Sequence, residues 1–189
     1  YSVSAQDIGD IYEGGYLFHI NEDGTGLVAA MEDLVGSYQY GCYDETNFNM
    51  ATSASIGSGY QNTIDIISFG CTPVEYAHNL WDGFMSAEEA NLYLTAAHAA
   101  YLYESNGHSD WYLPSKEELL MMCNTIGPNG AADSAPSQNI GGFQYYGYWS
   151  STYPLEPLIE GDYSQPIVVS FILNQASRQS PRSNYFVRP

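Results

Sequence analysis

The chain has 189 residues, enough for one domain with a substantial core, and its 22 acids against 4 bases give a net charge of −18. That charge repels phosphate backbones and anionic headgroups, so it argues against nucleic acid and anionic membrane surfaces as partners. No apolar run approaches the ~20 residues of a membrane span, so membrane insertion is not expected.

The charge is unevenly placed: residues 163–189 hold no acid and three of the four bases, Arg178, Arg182 and Arg188. These arginines either pair with acids inside the fold or, at Arg178 and Arg182, face a ligand. Tyrosine is abundant, with 18 against 7 phenylalanines, which suits half-exposed sheets and recognition surfaces as well as ordinary strands. The sequence opens at Tyr1 without methionine and reads as processed or as a fragment; Val3-Ser4-Ala5 is similar to the tail of a signal-peptide cleavage site.

In chain order, Ile8 to Ile20 and Leu27 to Ala30 flank Asn21-Glu22-Asp23-Gly24-Thr25-Gly26, and Asp-Gly between apolar runs predicts a hairpin. Residues 36–59 are polar and turn-rich, with little to hold them by packing. Cys42 lies near the start of that stretch and Cys71 beyond its end, so the two flank most of it. A disulfide between them would contribute roughly 3–4 kcal/mol by restricting the unfolded chain, and would imply an oxidising location. Residues 61–69, with Ile64, Ile66 and Ile67, fit either a short strand or a helix. Thr72-Pro73-Val74 reads as a helix start, with Val74, Ala77 and Trp81 on one face. Ser86 to Ser105 is the longest predicted helix: Ser86 and Glu89 have capping-box spacing, and Ala90, Tyr93, Leu94, Ala97 and Tyr101 form its stripe. Gly107 ends it.

Asp110 to Gly127 is the best specified segment. Ser115 and Glu118 form a second capping box: the Ser115 hydroxyl accepts from the Glu118 N–H, and the Glu118 carboxylate accepts from the Ser115 N–H. Leu119, Met122, Cys123 and Ile126 follow as one apolar stripe, so Cys123 reads as a buried small hydrophobe. Gly127-Pro128 predicts the stop, with the glycine left-handed. Residues 128–142 read as a surface loop, 145–152 as an aromatic strand, and 155–165 as an acidic loop. Pro166 to Leu173 reads as a buried strand, and Tyr185 to Arg188 as the strand that closes the sheet. Helices in the middle and strands at both ends predict an α+β domain, with one antiparallel sheet joining the N- and C-terminal strands and two to three helices packed from the middle.

Trp111, Leu113, Pro114, Ser115, Glu118 and Leu119, then Tyr148-Trp149-Ser150-Ser151-Thr152, then Asn184, Tyr185, Val187 and Arg188 follow an ordered pattern. The pattern resembles that of the bacterial and phage family DUF1566, the Lcl C-terminal-like domain. Gly14-Gly15-Tyr16-Leu17-Phe18 and Gly26-Leu27-Val28-Ala29-Ala30 are similar to the family's opening hairpin. The resemblance implies a C-type-lectin-like fold over the whole chain. It also implies a non-enzymatic extracellular binding or adhesion module, recognising glycans or a cell-surface partner from the head of a fibrous or trimeric surface protein. The alternative it implies is a structural component of a phage or virus tail fibre, a capsid decoration or a filament subunit, with the same surface used for assembly. Either way a homo-oligomer is expected, a trimer or a larger fibre or particle. Relatives that bind sulfated polysaccharides need a basic groove, which the charge here argues against.

Catalytic chemistry finds little support. G-x-S-x-G is missing, the four histidines have no zinc spacing, and Gly57-Ser58-Gly59 lacks the rest of a phosphate loop. The sulfatase-modifying enzymes, which the W-x-L-P motif also resembles, need cysteines late in the chain, and none follows Cys123. Calcium remains the candidate cofactor, at Glu156, Glu160 and Asp162, with a solvated acidic loop as the alternative. In C-type-lectin-like folds ligands meet the loops between the last strands, here residues 153–165 and 174–184. Tyr153, Asn174, Gln175, Arg178, Gln179, Arg182 and Asn184 are therefore the candidate ligand-binding residues, supplying donors beside an aromatic face. A solvated hairpin is the alternative for the second loop.

Overall fold

The computed structural model describes residues 6–42, 50–71, 94–130, 139–154 and 165–189. Along the chain come β1 (Ile11–Tyr12), β2 (Gly15–Ile20), β3 (Gly26–Ala30), β4 (Tyr38–Gln39), α1 (Gly59–Phe69), α2 (Ala96–Tyr101) and α3 (Lys116–Thr125). Then follow β5 (Gly147–Trp149), β6 (Ile167–Ser170), β7 (Gln175–Arg178) and β8 (Asn184–Tyr185). The class is α+β. The strands make three antiparallel sheets, ordered β1-β2-β3, β4-β8 and β5-β6-β7.

The single sheet expected to join both ends of the chain does not form. Residues 184–189 change partner at nearly every step. Tyr185 pairs with Tyr38 of β4, and the Trp149 N–H donates to Phe186 at 3.0 Å. The Leu34 N–H donates to Val187 at 2.9 Å, and the Ala30 N–H to Pro189 at 2.8 Å. The C-terminal segment therefore ties three sheets together rather than extending one.

The sheet β5-β6-β7 is the wall between two hydrophobic clusters. Neighbouring residues on a strand point to opposite faces. Trp149 and Val168 accordingly enter a cluster with Tyr40, Ile66, Leu113 and the alanines of α2. Tyr148 and Val169 enter another with Phe18, Phe143, Phe171 and the stripe of α3. Burying each large apolar side chain contributes about 1.5–3 kcal/mol.

The helices settle several expectations. Residues 61–69 are helical: α1 ends on Gly70 at φ 84°, and its inward face is Asn62, Thr63 and Ile66, a helical spacing. The long helix expected over Ser86–Ser105 is not continuous through its described part. Thr95 is extended (ψ 164°) and caps α2 with its own side chain, so Leu94 lies outside the helix, and Leu102 is its C-cap. The α3 capping box forms in full, with Ser115 N–H to Glu118 Oε2 at 2.6 Å and Glu118 N–H to Ser115 Oγ at 3.3 Å. Gly127 stops α3 for a different reason than expected. Its φ is not positive, but a Cβ there would stand 2.8 Å from the Cys123 Cα, so glycine is needed for close approach.

Cys42 and Cys71 are joined as expected, and Cys123 is free and buried. Among the described residues no helix is long and apolar enough to cross a membrane. The helix expected at Thr72, residues 86–93 of the longest helix, residues 131–138, the acidic loop at 155–164 and Val3-Ser4-Ala5 lie outside the described residues.

Candidate functional site

The hydroxyls and carboxylate of the two sequence motifs are spent on the scaffold. Glu118 has no exposed surface, and its Oε1 accepts from the Gly57 N–H at 2.7 Å while Oε2 takes the Ser115 N–H. Burial raises its pKa, opposed by these backbone N–H groups. Ser150 Oγ donates to Ile167 O at 2.8 Å, and Ser151 Oγ accepts from Asn62 Nδ2 at 3.1 Å. Thr152 Oγ1 accepts from the Lys116 N–H at 2.9 Å. None of these groups faces solvent, so none is positioned to meet a substrate.

Arg188 is equally committed. It is 2% exposed; its Nε donates to Asp33 Oδ1 at 2.7 Å, and its Nη1 to Ala30 O and Gly141 O at 3.0 and 2.9 Å. The guanidinium lies 4.2 Å from the Phe143 ring centroid. The other Asp33 oxygen accepts from the Tyr148 hydroxyl at 2.8 Å. Arg188 thus pairs with an acid inside the fold.

The sequence-predicted ligand residues are only partly brought together. Tyr153 is 2% exposed and packs against Tyr40 at a ring-centroid distance of 5.8 Å, so it cannot offer an aromatic face to a sugar. The stretch read as one loop from Asn174 to Asn184 is half strand, because Gln175–Arg178 is β7, paired with β6. Its polar side chains have low strand propensity, but the β6 ladder overrides that preference. Asn174 turns the chain into β7 at φ 49°, and its Nδ2 donates to Asn124 and Asn129 at 2.5 and 3.2 Å. Gln175 is exposed on the strand, Arg178 and Gln179 are half-buried at its far end, and Arg182 and Asn184 are exposed beyond it. Four residues of strand, ~13 Å, thus separate Asn174 from the arginines. Glu156, Glu160 and Asp162 lie outside the described residues, among which no three His, Cys, Asp or Glu side chains group to hold a metal.

The edge of β7 is the notable feature of this surface. Among the described residues only β6 pairs with it. The Gln179 N–H turns inward to Pro166 O at 3.0 Å, so by alternation the N–H and C=O of Ala176 and Arg178 point outward.

A second surface was not anticipated. Between β1 and β2, Glu13 and Gly14 both take positive φ, 46° and 83°. Asn106 and Gly107, inside the Ser105–His108 bridge, do the same at 52° and 84°. Two successive positive φ values mark a type I′ turn, for which Asn-Gly is favoured and Glu-Gly is not. Asn106 Nδ2 donates to Gly14 O at 3.3 Å, and the joined turns set Glu13 Oε2 3.3 Å from His108 Nε2. Beside them opens a cleft of about 180 Å³. Glu13 and Asp110 are its exposed charged lining and His108 is half-buried; Leu27, Val28, Trp111 and Tyr112 supply the apolar walls. Trp111 Nε1 donates to His108 O at 3.2 Å and holds the second turn. Burial, then the Glu118 and Asp110 carboxylates, pushes the Tyr112 phenol far above its ordinary range. Sequence reasoning used Gly107 only as a helix stop, although Asn106-Gly107 is itself a hairpin signal.

No known protein family matches this sequence, and no curated protein does. The likeness to the Lcl C-terminal-like pattern therefore rests on the motif residues themselves.

Proposed function

We propose that the protein is a non-enzymatic extracellular binding module, recognising a glycan or a cell-surface partner through the polar surface of β7 and the turn that follows. The observation that supports this is the contrast across one strand pair. β6 is buried on both faces, with Val168 and Val169 at 3% and 0% exposure, and β7, hydrogen-bonded to it, presents Gln175, Ala176 and Ser177 to solvent. A polar strip backed by a rigid wall loses little conformational entropy on binding. The disulfide supports an oxidising location, and the enclosure of the motif hydroxyls and of Glu118 speaks against catalysis there. Binding is tested on a glycan array and on intact cells with Gln175→Ala, Arg182→Ala and Asn184→Ala. Loss of about tenfold or more in at least one variant is expected for a strip centred here; binding unchanged in all three discards it.

The outward edge of β7 favours a second reading, a subunit of a fibre or particle that assembles by strand addition. Ala176→Pro would block the outward edge while sparing the bonds to β6. Loss of self-association in sedimentation, with glycan or cell binding kept, would select assembly. A chain monomeric at all concentrations would discard it.

A further inference from the structure

We propose that the cleft beside the two joined turns binds an alkylammonium group, a primary ammonium carried on a short apolar stem. The site is independent of the β7 surface and uses none of its residues. Three features of the cleft converge on this ligand class.

First, the exposed charged groups on the lining are acceptors. Asp110 has no hydrogen-bond or ion-pair partner among the described residues, and Glu13 meets only His108. The nearby Trp111 N–H is already taken by His108 O. These carboxylates match a ligand that brings donors, and an ammonium brings three. Second, the acids on the lining do not gather into a metal-holding group among the described residues. Separated carboxylates beside an apolar wall suit a cation with a body rather than a bare ion. The wall is Leu27 and Val28 of β3 with the Tyr112 ring. At about 180 Å³ the cleft is below the size of sites for drug-like molecules and admits a stem of a few methylenes. Third, a net charge of −18 biases every encounter toward cations.

The turns supply preorganisation. Glu13 sits at φ 46°, a conformation that costs a non-glycine residue of order 1–3 kcal/mol and that the Asn106–Gly14 contact helps to hold. His108 then orients its carboxylate, so little freedom remains to be lost when the ammonium arrives.

The shared chemistry has two sources, a free diamine or a lysine side chain, and the test separates them. The ¹⁵N–¹H spectrum of the full chain is titrated with 1,5-diaminopentane, with Nα-acetyl-lysine methylamide, and with 1,5-pentanediol and glucose as neutral controls. Saturable shifts at Glu13, Leu27, Val28 and Asp110 are expected with an amine, weakening as salt is added, and none with the diol or glucose. Binding of both amines means the ammonium suffices; binding of the lysine analogue alone assigns the site to protein lysines. Asp110→Asn and Glu13→Gln are each expected to weaken binding by about tenfold, the scale of one charge-assisted hydrogen bond. Neither amine binding, the diol or glucose binding equally well, or binding untouched by both substitutions overturns the proposal. Both residues are exposed, and should either variant fail to fold, the salt dependence and the diol comparison on the unaltered chain still decide.

Discussion

Glu118 and Glu13 carry the same carboxylate and stand in opposite situations. Glu118 has no exposed surface and both oxygens filled by backbone N–H groups, from Gly57 and Ser115. Glu13 is half-exposed at the tip of a strained turn, with His108 as its ion-pair partner among the described residues. The first group lies in the recognisable motif and joins α3 to the turn before α1. The second lies in no motif and is available. Recognisability and availability therefore run in opposite directions in this molecule: the spacing that makes a pattern readable is the spacing that fills its hydrogen bonds internally.

The largest test of that contrast breaks the buried side. Arg188→Met keeps the length of the side chain over Phe143 but leaves Asp33 enclosed without its cation. Unfolding by urea is expected to show a loss of about 3–5 kcal/mol, the usual cost of orphaning one member of a buried ion pair. A loss under ~1 kcal/mol would mean that Asp33 finds water or another partner, and that the C-terminal clasp is looser than its geometry.

Glu118→Gln should have a smaller effect with a telling pH dependence. The amide puts its NH₂ against one of two N–H donors, for a loss of about 1–3 kcal/mol. The raised pKa of Glu118 means that the folded state holds the proton more tightly than the unfolded chain. Its contribution is thus fully present below the ordinary carboxylate pKa and declines as pH rises through the folded value. The stability gap between wild type and Glu118→Gln should be widest near pH ~4 and shrink toward pH ~7 in thermal melts. A gap that widens with rising pH would mean the backbone N–H groups outweigh burial and the pKa is in fact lowered.

The smallest effects on stability belong to the available side. Gln175→Ala and Asp110→Asn are expected to change it by less than ~0.5 kcal/mol, as exposed substitutions do. A larger loss at either position would move that residue from a binding surface to the scaffold.

The scaffold was legible where a local rule and the tertiary packing agree. The Ser115 capping box, the Leu119–Met122–Cys123–Ile126 stripe, the Asp23-Gly24 hairpin and the Cys42–Cys71 bridge each follow from spacing within one segment, or from two cysteines flanking a poorly packed one. The readings that failed needed a partner distant in sequence. Tyr153 was read as ligand-facing because the resemblance puts binding at the loop it opens, yet it is buried against Tyr40. Gln175–Arg178 looked like a loop because its polar side chains say nothing of the β6 ladder that makes it a strand. Gly127 was assigned the right role for the wrong reason, since a crowded Cys123 backbone leaves no trace in the sequence. The Glu13–His108 approach depends on two turns 92 positions apart, and only one of them carries a recognisable turn dipeptide.

The clasp made by residues 184–189 has a consequence for how the chain comes to be folded. Arg188 reaches Asp33 across 155 positions, and the partners of Phe186, Val187 and Pro189 all leave the ribosome before those residues do. Until they arrive, the two hydrophobic clusters have a shared wall and an open seam. Contacts of such long sequence separation form late and slowly, on a millisecond-to-second scale, and exposed apolar surface in the interval invites aggregation. Cys42 and Cys71, separated by 29 positions, can close much earlier. The covalent staple can therefore close while the residues of this clasp are still being synthesised, on a chain whose sheets are not yet joined.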